Sequence, residues 1–586
     1  MFREIYKVLS QKEKLYLIFV FFGAFLASSM DVIGIGSIVV YITFLSNPDE
    51  IISKIPFNNI TEYLNSLSEN ELVVFFSIFL VSIFLLKNIF LFFYFYAEAL
   101  INKKMVVRAS AKILSYYLLQ NYSFYLNTNS SKMVNSVLIE TGRFVHYIFS
   151  FLLLYREIIV LLLMVVFLFN FSSQYSFLVI LVMIIFSALF FLKFKNIIKK
   201  VGVEATKYSE LNYKTLYEIF NTIKSIKLSS RYDYWTKKFK NYKNKFHSNQ
   251  VKNYMFGRIP RIFLEIVSVF SLVTIILILV LKGKTIYEVI TLLTLVSLII
   301  IRSLPAFVNI NTGIAALNFN SETFKKTLSN LKQFKEYEKF NNKKKDRATI
   351  ENVEKINLID VNFSYLKDKQ ILKNISLELK KGEMVGVVGK TGSGKTTLVD
   401  LLTGLIKPDS GKVLINNQGY ENIFFGSIGY ITQDTMLIDD SITNNICLGI
   451  ENKNISKDKL FFALESSCLS EFISNLPEKE GTFVGDRGIR ISGGQKQRIG
   501  IARAIYNDFE ILVLDEATSS LDYSTEKKIM TKINQMKKDK IIIMITHRLS
   551  TLDFCDKVIL LEEGAIKDIG KIDYIKNKYE YILNKN

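Results

Sequence analysis

Apolar residues along this chain are gathered into six long stretches, near residues 15–45, 72–101, 144–170, 176–194, 256–281 and 286–317. A helix needs roughly 20 apolar residues to cross a bilayer, so each stretch predicts a membrane span, and the longer ones predict helices that continue beyond the lipid. Two connections, after the second and the fourth span, keep helical apolar spacing, as in LNYKTLYEIFNTIKSIKL. They predict helices projecting from the membrane and ending in short coupling helices that meet another domain. Residues 319–352 turn polar and lysine-rich, ending in NNKKKDRATIENVE, and read as an exposed linker. Beyond Val353 the pattern is that of a globular α/β domain, with short aliphatic runs between helix-like segments. The expected organisation is therefore an α-helical six-span transmembrane domain over 1–318, a linker over 319–352 and an α/β domain over 353–586.

Charge orients the spans. Residues 46–72 carry five acids against Lys54 alone, whereas residues 195–255 carry fourteen Lys or Arg against four acids. The connection after the second span is also basic, and the one after the third is a few uncharged residues. The positive-inside rule then places both termini in the cytosol. It also accounts for much of the net charge of +20, so a nucleic-acid partner is not required. The segment that follows the polar start MFREIYKVLSQKEK is too long for the core of a signal peptide, and no cleaved signal is expected. Cys447, Cys468 and Cys555 have no paired spacing, which suits a reducing compartment. His146, His247 and His547 form no cluster of metal-ligand spacing.

Two motifs in the α/β domain carry chemistry. GKTGSGKT, Gly389 to Thr396, lies between the apolar run Met384–Val388 and the helix-like TLVDLLTGL. This is a complete P-loop: its glycines let backbone N–H groups curl around a phosphate, Lys395 neutralises phosphate oxygens and Thr396 ligates Mg²⁺. The second stretch, residues 491–522, reads ISGGQKQRIGIARAIYNDFEILVLDEATSSLD. Its aliphatic run Ile511–Leu514 predicts a strand buried on both faces, with Asp515 and Glu516 emerging at the carboxyl end, where ligands bind in open α/β sheets.

Six spans followed by a P-loop domain with ISGGQ, ILVLDE, SSLD and ITHR resemble a half-size ABC transporter of the exporter (type IV) arrangement, over essentially the whole chain. The resemblance implies an ABC ATPase that binds ATP and Mg²⁺. It implies that Tyr365 in NFSY stacks on adenine, that Gly389, Thr391, Gly392, Gly394, Lys395, Thr396 and Thr397 hold the phosphates, and that Thr396, Gln433 and Asp515 serve the ATP-bound Mg²⁺. It further implies that Glu516 polarises the attacking water, that His547 steadies the transferred group, and that Gln433 couples the nucleotide to the membrane domain. Ser492, Gly493, Gly494 and Gln495 would reach the γ-phosphate from a second chain. With no second nucleotide domain present, this points to a homodimer with two equivalent sites. Ile491 stands where leucine is commoner and Asp486 where glutamate is usual; apolar bulk and charge are kept.

Within this family the order of FLLKNIF, IPRIFLE and IIIRSLP is similar to the lipid-linked oligosaccharide flippase of bacterial N-glycosylation. Lys87 and Arg302 each lie about 15 residues from the outer end of a span, roughly 22 Å down at 1.5 Å per residue, and Arg261 is expected somewhat deeper. Charge at such depth is a candidate for function, against the alternative of snorkelling to headgroups. A lysine at 87 replaces an arginine of that family, which keeps the charge and loses the bidentate fork. Ile60, Tyr63, Leu64 and Leu67 repeat at helical spacing in an acidic segment and suggest a short helix at the outer interface. The expectation is an ATP-driven flippase in the bacterial inner membrane that moves an anionic lipid-linked substrate, a polyprenyl-pyrophosphate-linked oligosaccharide. The alternatives are an exporter of another lipid, a peptide or a hydrophobic drug, and an ATP-gated channel.

Overall fold

The computed structural model describes residues 2–46, 48–52, 58–170, 174–283, 286–344, 352–366, 369–419 and 427–583. The chain divides into two compact units, one of residues 1–120 and 127–341, the other of 121–126 and 342–586.

The first unit is helical. Its rods are α1 (Gln11–Ser46), α2 (Glu69–Leu118), α3 (Thr141–Asn170), α4 (Gln174–Asn221), α5 (Tyr232–Leu281) and α6 (Ile286–Lys344). Among the described residues six helices are long and apolar enough to cross a membrane, and the protein is a multi-pass membrane protein. Large side chains such as Leu86, Phe92, Leu192 and Phe270 are more than 60% exposed on these rods, a surface that suits lipid and not water. A π turn, Ser136–Glu140, joins α3 to the short helix Ser130–Asn135 ahead of it. The helix of Asn58–Asn65 lies in the acidic first connection; Leu64 is fully buried with Phe44, Ile52, Leu72 and Phe76, whereas Tyr63 points outward. The side chain of Ile60 lies outside the described residues.

Residues 319–344, which the polarity of the sequence assigns to a linker, continue α6 as helix. Their buried positions Phe324, Leu328 and Leu331 keep 3–4 spacing, so an apolar stripe persists among the lysines. Gly202 of α4 allows α6 to approach closely, since a Cβ there would lie 1.9 Å from the Phe319 carbonyl oxygen.

The second unit is built on two sheets. Strands β1 (Lys355–Leu366), β2 (Lys369–Lys380), β3 (Met384–Val388), β4 (Ser410–Ile415), β5 (Gln418–Gly419), β6 (Ile428–Ile431), β7 (Ile511–Asp515), β8 (Ile541–Ile545), β9 (Lys557–Glu562) and β10 (Ala565–Gly570) follow in order. One sheet runs β2-β1-β4-β5; the other runs β10-β9-β3-β8-β7-β6, parallel except for β10. In the parallel sheet Val385, Val387, Ile511, Val513, Ile541 and Ile543 face one core, and Met384, Val388, Leu512, Leu514, Ile542 and Met544 face the other. Side chains alternate across a strand, so a strand covered on both faces must be aliphatic throughout.

Candidate functional site

The carboxyl ends of β3, β6, β7 and β8 converge on one site. After β3 the chain turns through Gly389, at φ +156°, where a Cβ would meet the Leu561 carbonyl oxygen at 2.2 Å. Gly394, at φ +99°, then caps the helix α7 (Lys395–Leu402). Lys395 Nζ donates to the carbonyl oxygens of Gly389 at 2.8 Å and Lys390 at 3.1 Å, so the amine lies curled over the loop. Burial pushes its pKa down, and the neighbouring Glu516 and Asp515 oppose that shift. Among the described residues the buried Ser393 hydroxyl has no hydrogen-bond partner, and Gly392 faces open space. An orphaned donor, a loop open at Gly392 and a lysine held on carbonyls fit a triphosphate. The Tyr365 hydroxyl lies 3.3 Å from Thr397 Oγ1, with its ring edge-on to Phe363, which sets a half-exposed aromatic face beside the first turn of α7.

β7 ends in Asp515. Burial raises its pKa, and the charge of Glu516 adds to the rise. Tyr430 of β6 places its hydroxyl 3.5 Å from Asp515 Oδ2 and 3.4 Å from Asp400 Oδ1. Asp400 is pushed up to about 6, first by burial. Two carboxylates this close, both raised by burial, would be relieved by a cation, and Asp515, with Thr396 and Gln433, would be the residues to hold an ATP-bound Mg²⁺.

Glu516 follows at φ +48°, a left-handed conformation that costs a non-glycine residue about 1–2 kcal/mol. It is held there by a 2.9 Å hydrogen bond from its N–H to the Ile545 carbonyl. Gln433 Nε2 donates to Glu516 Oε2 at 2.7 Å, and His547 Nε2 lies 3.5 Å from Oε1. Burial, then Lys395, pushes the imidazole below its usual range against the opposing charge of Glu516, a net shift that favours the neutral ring. Gln433, Glu516 and His547, from three loops, thus meet around one carboxylate.

Ser492 to Gln495 are elsewhere. Ser492 caps the helix α8 (Gly493–Tyr506), accepting from the Gln495 N–H while the Gln495 side chain accepts from the Ser492 N–H. Among the described residues no hydrogen bond joins this turn to Gly389–Thr397. It packs against the SSLD loop instead, with Gln497 bonded to Ser519 Oγ at 3.0 Å and to the Ser520 N–H at 2.9 Å. Sequence reasoning missed what anchors that loop. Arg548 reaches the carbonyls of Ser519 and Leu521 and pairs with the buried Glu526 at 2.8 Å. The ITHR motif holds the signal, because Arg548 directly follows His547.

In the membrane unit, Lys87 of α2 and Arg302 of α6 meet, but not as free cations. Lys87 Nζ is 3.0 Å from Asp31 Oδ1 of α1, and Arg302 Nη2 is 2.6 Å from Asp31 Oδ2. Arg261, the third candidate and expected somewhat deeper, is bonded to none of these among the described residues. Its Nε is bonded at 2.8 Å to Glu265, one turn along the same helix, and both side chains are half-exposed.

Residues 372–519 match the family described as ABC transporter, and residues 50–304 match the ABC transporter transmembrane region. The chain is 41% identical over 217 residues to the alpha-hemolysin translocation ATP-binding protein of Escherichia coli, covering 36% of this chain and 30% of the relative. It is 40% identical over 232 residues to the leukotoxin translocation ATP-binding protein of Mannheimia glucosida, covering 39% of this chain and 32% of the relative. The match thus spans under a third of each relative's length. A bacterial Atm1-family ABC exporter with ATP bound superposes with a TM-score of 0.75 over 98% of both chains at 18% identity, which is likeness of fold.

Proposed function

We propose, for a chain that carries the transmembrane region and the ATP-binding domain of an ABC transporter in the exporter fold, that it is an ATP-driven flippase of an anionic lipid-linked substrate. Phosphoryl transfer needs mainly positioning and neutralised charge. Glu516, steered by Gln433 and His547, orients the water; Lys395 and the loop amides hold the phosphates; Thr396, Asp515 and Gln433 hold Mg²⁺. Ser492 to Gln495 complete the P-loop site of a second copy, so the working unit is a homodimer. It sits in the bacterial inner membrane with both termini in the cytosol.

For cargo, the carrying observation is the cluster of Lys87 and Arg302 on Asp31, two cations against one acid inside the spans. A net positive charge there favours an anionic headgroup. With the FLLKNIF and IIIRSLP segments, this supports a polyprenyl-pyrophosphate-linked oligosaccharide as the cargo. A second reading, export of a polypeptide, draws on the relatives, which are named for toxin translocation. Steady-state ATPase of the full chain in proteoliposomes separates the two. Stimulation by a polyprenyl-pyrophosphate glycan and none by an unfolded polypeptide is expected; the reverse pattern replaces the first reading by the second.

A further inference from the structure

Asp31 gives one carboxylate oxygen to each of two cations that come from different helices. Its side chain is 19% exposed, that of Lys87 14% and that of Arg302 22%. Lys87 reaches it by crossing α1 at Gly34, one turn on from Asp31. A Cβ at Gly34 would lie 3.1 Å from the Lys87 Cδ and 3.3 Å from Nζ, so this glycine leaves the passage for the lysine. The Phe84 ring lies 5.3 Å from the same amine. Among the described residues no second acid is bonded to any member of the cluster, which therefore carries one positive charge in excess. Uncompensated charge in a low-dielectric site is costly, and an anion entering it removes that cost.

We propose that Asp31 is a displaceable internal counter-ion: it holds Lys87 and Arg302 together between loads, gives them up to the phosphate groups of an anionic lipid, and retakes them as the lipid leaves. This rests on the anionic-cargo reading above. It adds that affinity follows the net charge of three side chains and not the number of cations. It also gives the cation pair a way to let go, since a strongly bound pyrophosphate competes at each cycle with a carboxylate that is always present.

The test is a charge series on the full chain in detergent, with farnesyl pyrophosphate as the probe and farnesol as the uncharged control. Wild type counts +1, Lys87→Met 0, Asp31→Asn +2, and the double variant Asp31→Asn/Lys87→Met +1. Lys87→Met leaves a neutral Arg302–Asp31 pair and is the variant best placed to fold; elution as a single species checks each protein. Binding of farnesyl pyrophosphate is expected to fall at least about ten-fold in Lys87→Met, to return to within about three-fold of wild type in the double variant, and to tighten several-fold in Asp31→Asn. Lys87→Arg should bind as wild type does. Equal binding by Lys87→Met and the double variant overturns the counter-ion while leaving the cargo reading intact. If no variant prefers farnesyl pyrophosphate to farnesol, both fall together.

Discussion

The Gln433 amide donates a 2.7 Å hydrogen bond to Glu516 Oε2, linking the loop after β6 to the acid that directly follows β7. In the proposed mechanism this bond would aim the carboxylate at the attacking water, while Lys395 and the P-loop glycines would bind phosphate without it. Glu516→Gln should therefore leave ATP affinity within a few-fold of wild type and lower turnover by about two orders of magnitude or more. Fluorescent-nucleotide binding beside steady-state hydrolysis checks this, and near-normal turnover would remove Glu516 from its role.

Asp400 gives a pH dependence of known sign. Its folded pKa is about 6, above the ordinary 3.8, so the folded chain keeps a proton that the unfolded chain releases. The contribution of this group to stability is complete below about pH 4 and is lost as pH rises to 6. Asp400→Asn should flatten that fall and raise the melting temperature at pH 7.5 by about 2–4 °C. A melting curve with an unchanged pH slope between 4 and 6 would contradict it.

Close helix packing gives a sharper stability prediction. A side chain at Gly202 meets the Phe319 backbone and not a flexible group, so α4 and α6 must separate to admit it. Gly202→Val should sharply lower the yield of monodisperse protein, and Gly202→Ala should lower its melting temperature by several degrees, since overpacking costs about 1–3 kcal/mol. Wild-type melting in Gly202→Ala would show that the helices do not meet there.

The SSLD loop depends on a buried acid. Glu526 accepts from Thr518, Thr551 and Arg548, and removing Arg548 leaves its charge without a counter-ion. Arg548→Ala should destabilise by about 2 kcal/mol, discounted for an arginine that is partly exposed, and Glu526→Gln by less. Chemical unfolding of both variants checks the order.

The convergence of Lys395, Glu516 and His547 was legible because GKTGSGKT, ILVLDE and ITHR are each contiguous and follow buried strands whose carboxyl ends fix where they meet. Residues 319–344 read as linker because their lysines hide a stripe of Phe324, Leu328 and Leu331 that continues the sixth helix. Asp31 was overlooked although an acid inside an apolar span is a signal in itself. Its meaning lay in partners 56 and 271 residues away, which no local pattern reveals. Tyr430 and Asp400 were missed for the same reason: the strand order that sets β6 beside β7 brings Tyr430 to Asp515, and the Tyr430 hydroxyl meets Asp400 of α7.

ATP-driven movement of an anionic lipid can be watched by following a fluorescent polyprenyl-pyrophosphate glycan between the leaflets of proteoliposomes holding the full chain. Transfer is expected to require ATP, to be lost in Glu516→Gln, and to be much weaker for the corresponding neutral polyprenyl glycan. Transfer that ignores ATP, or that treats the charged and neutral lipids alike, would contradict it.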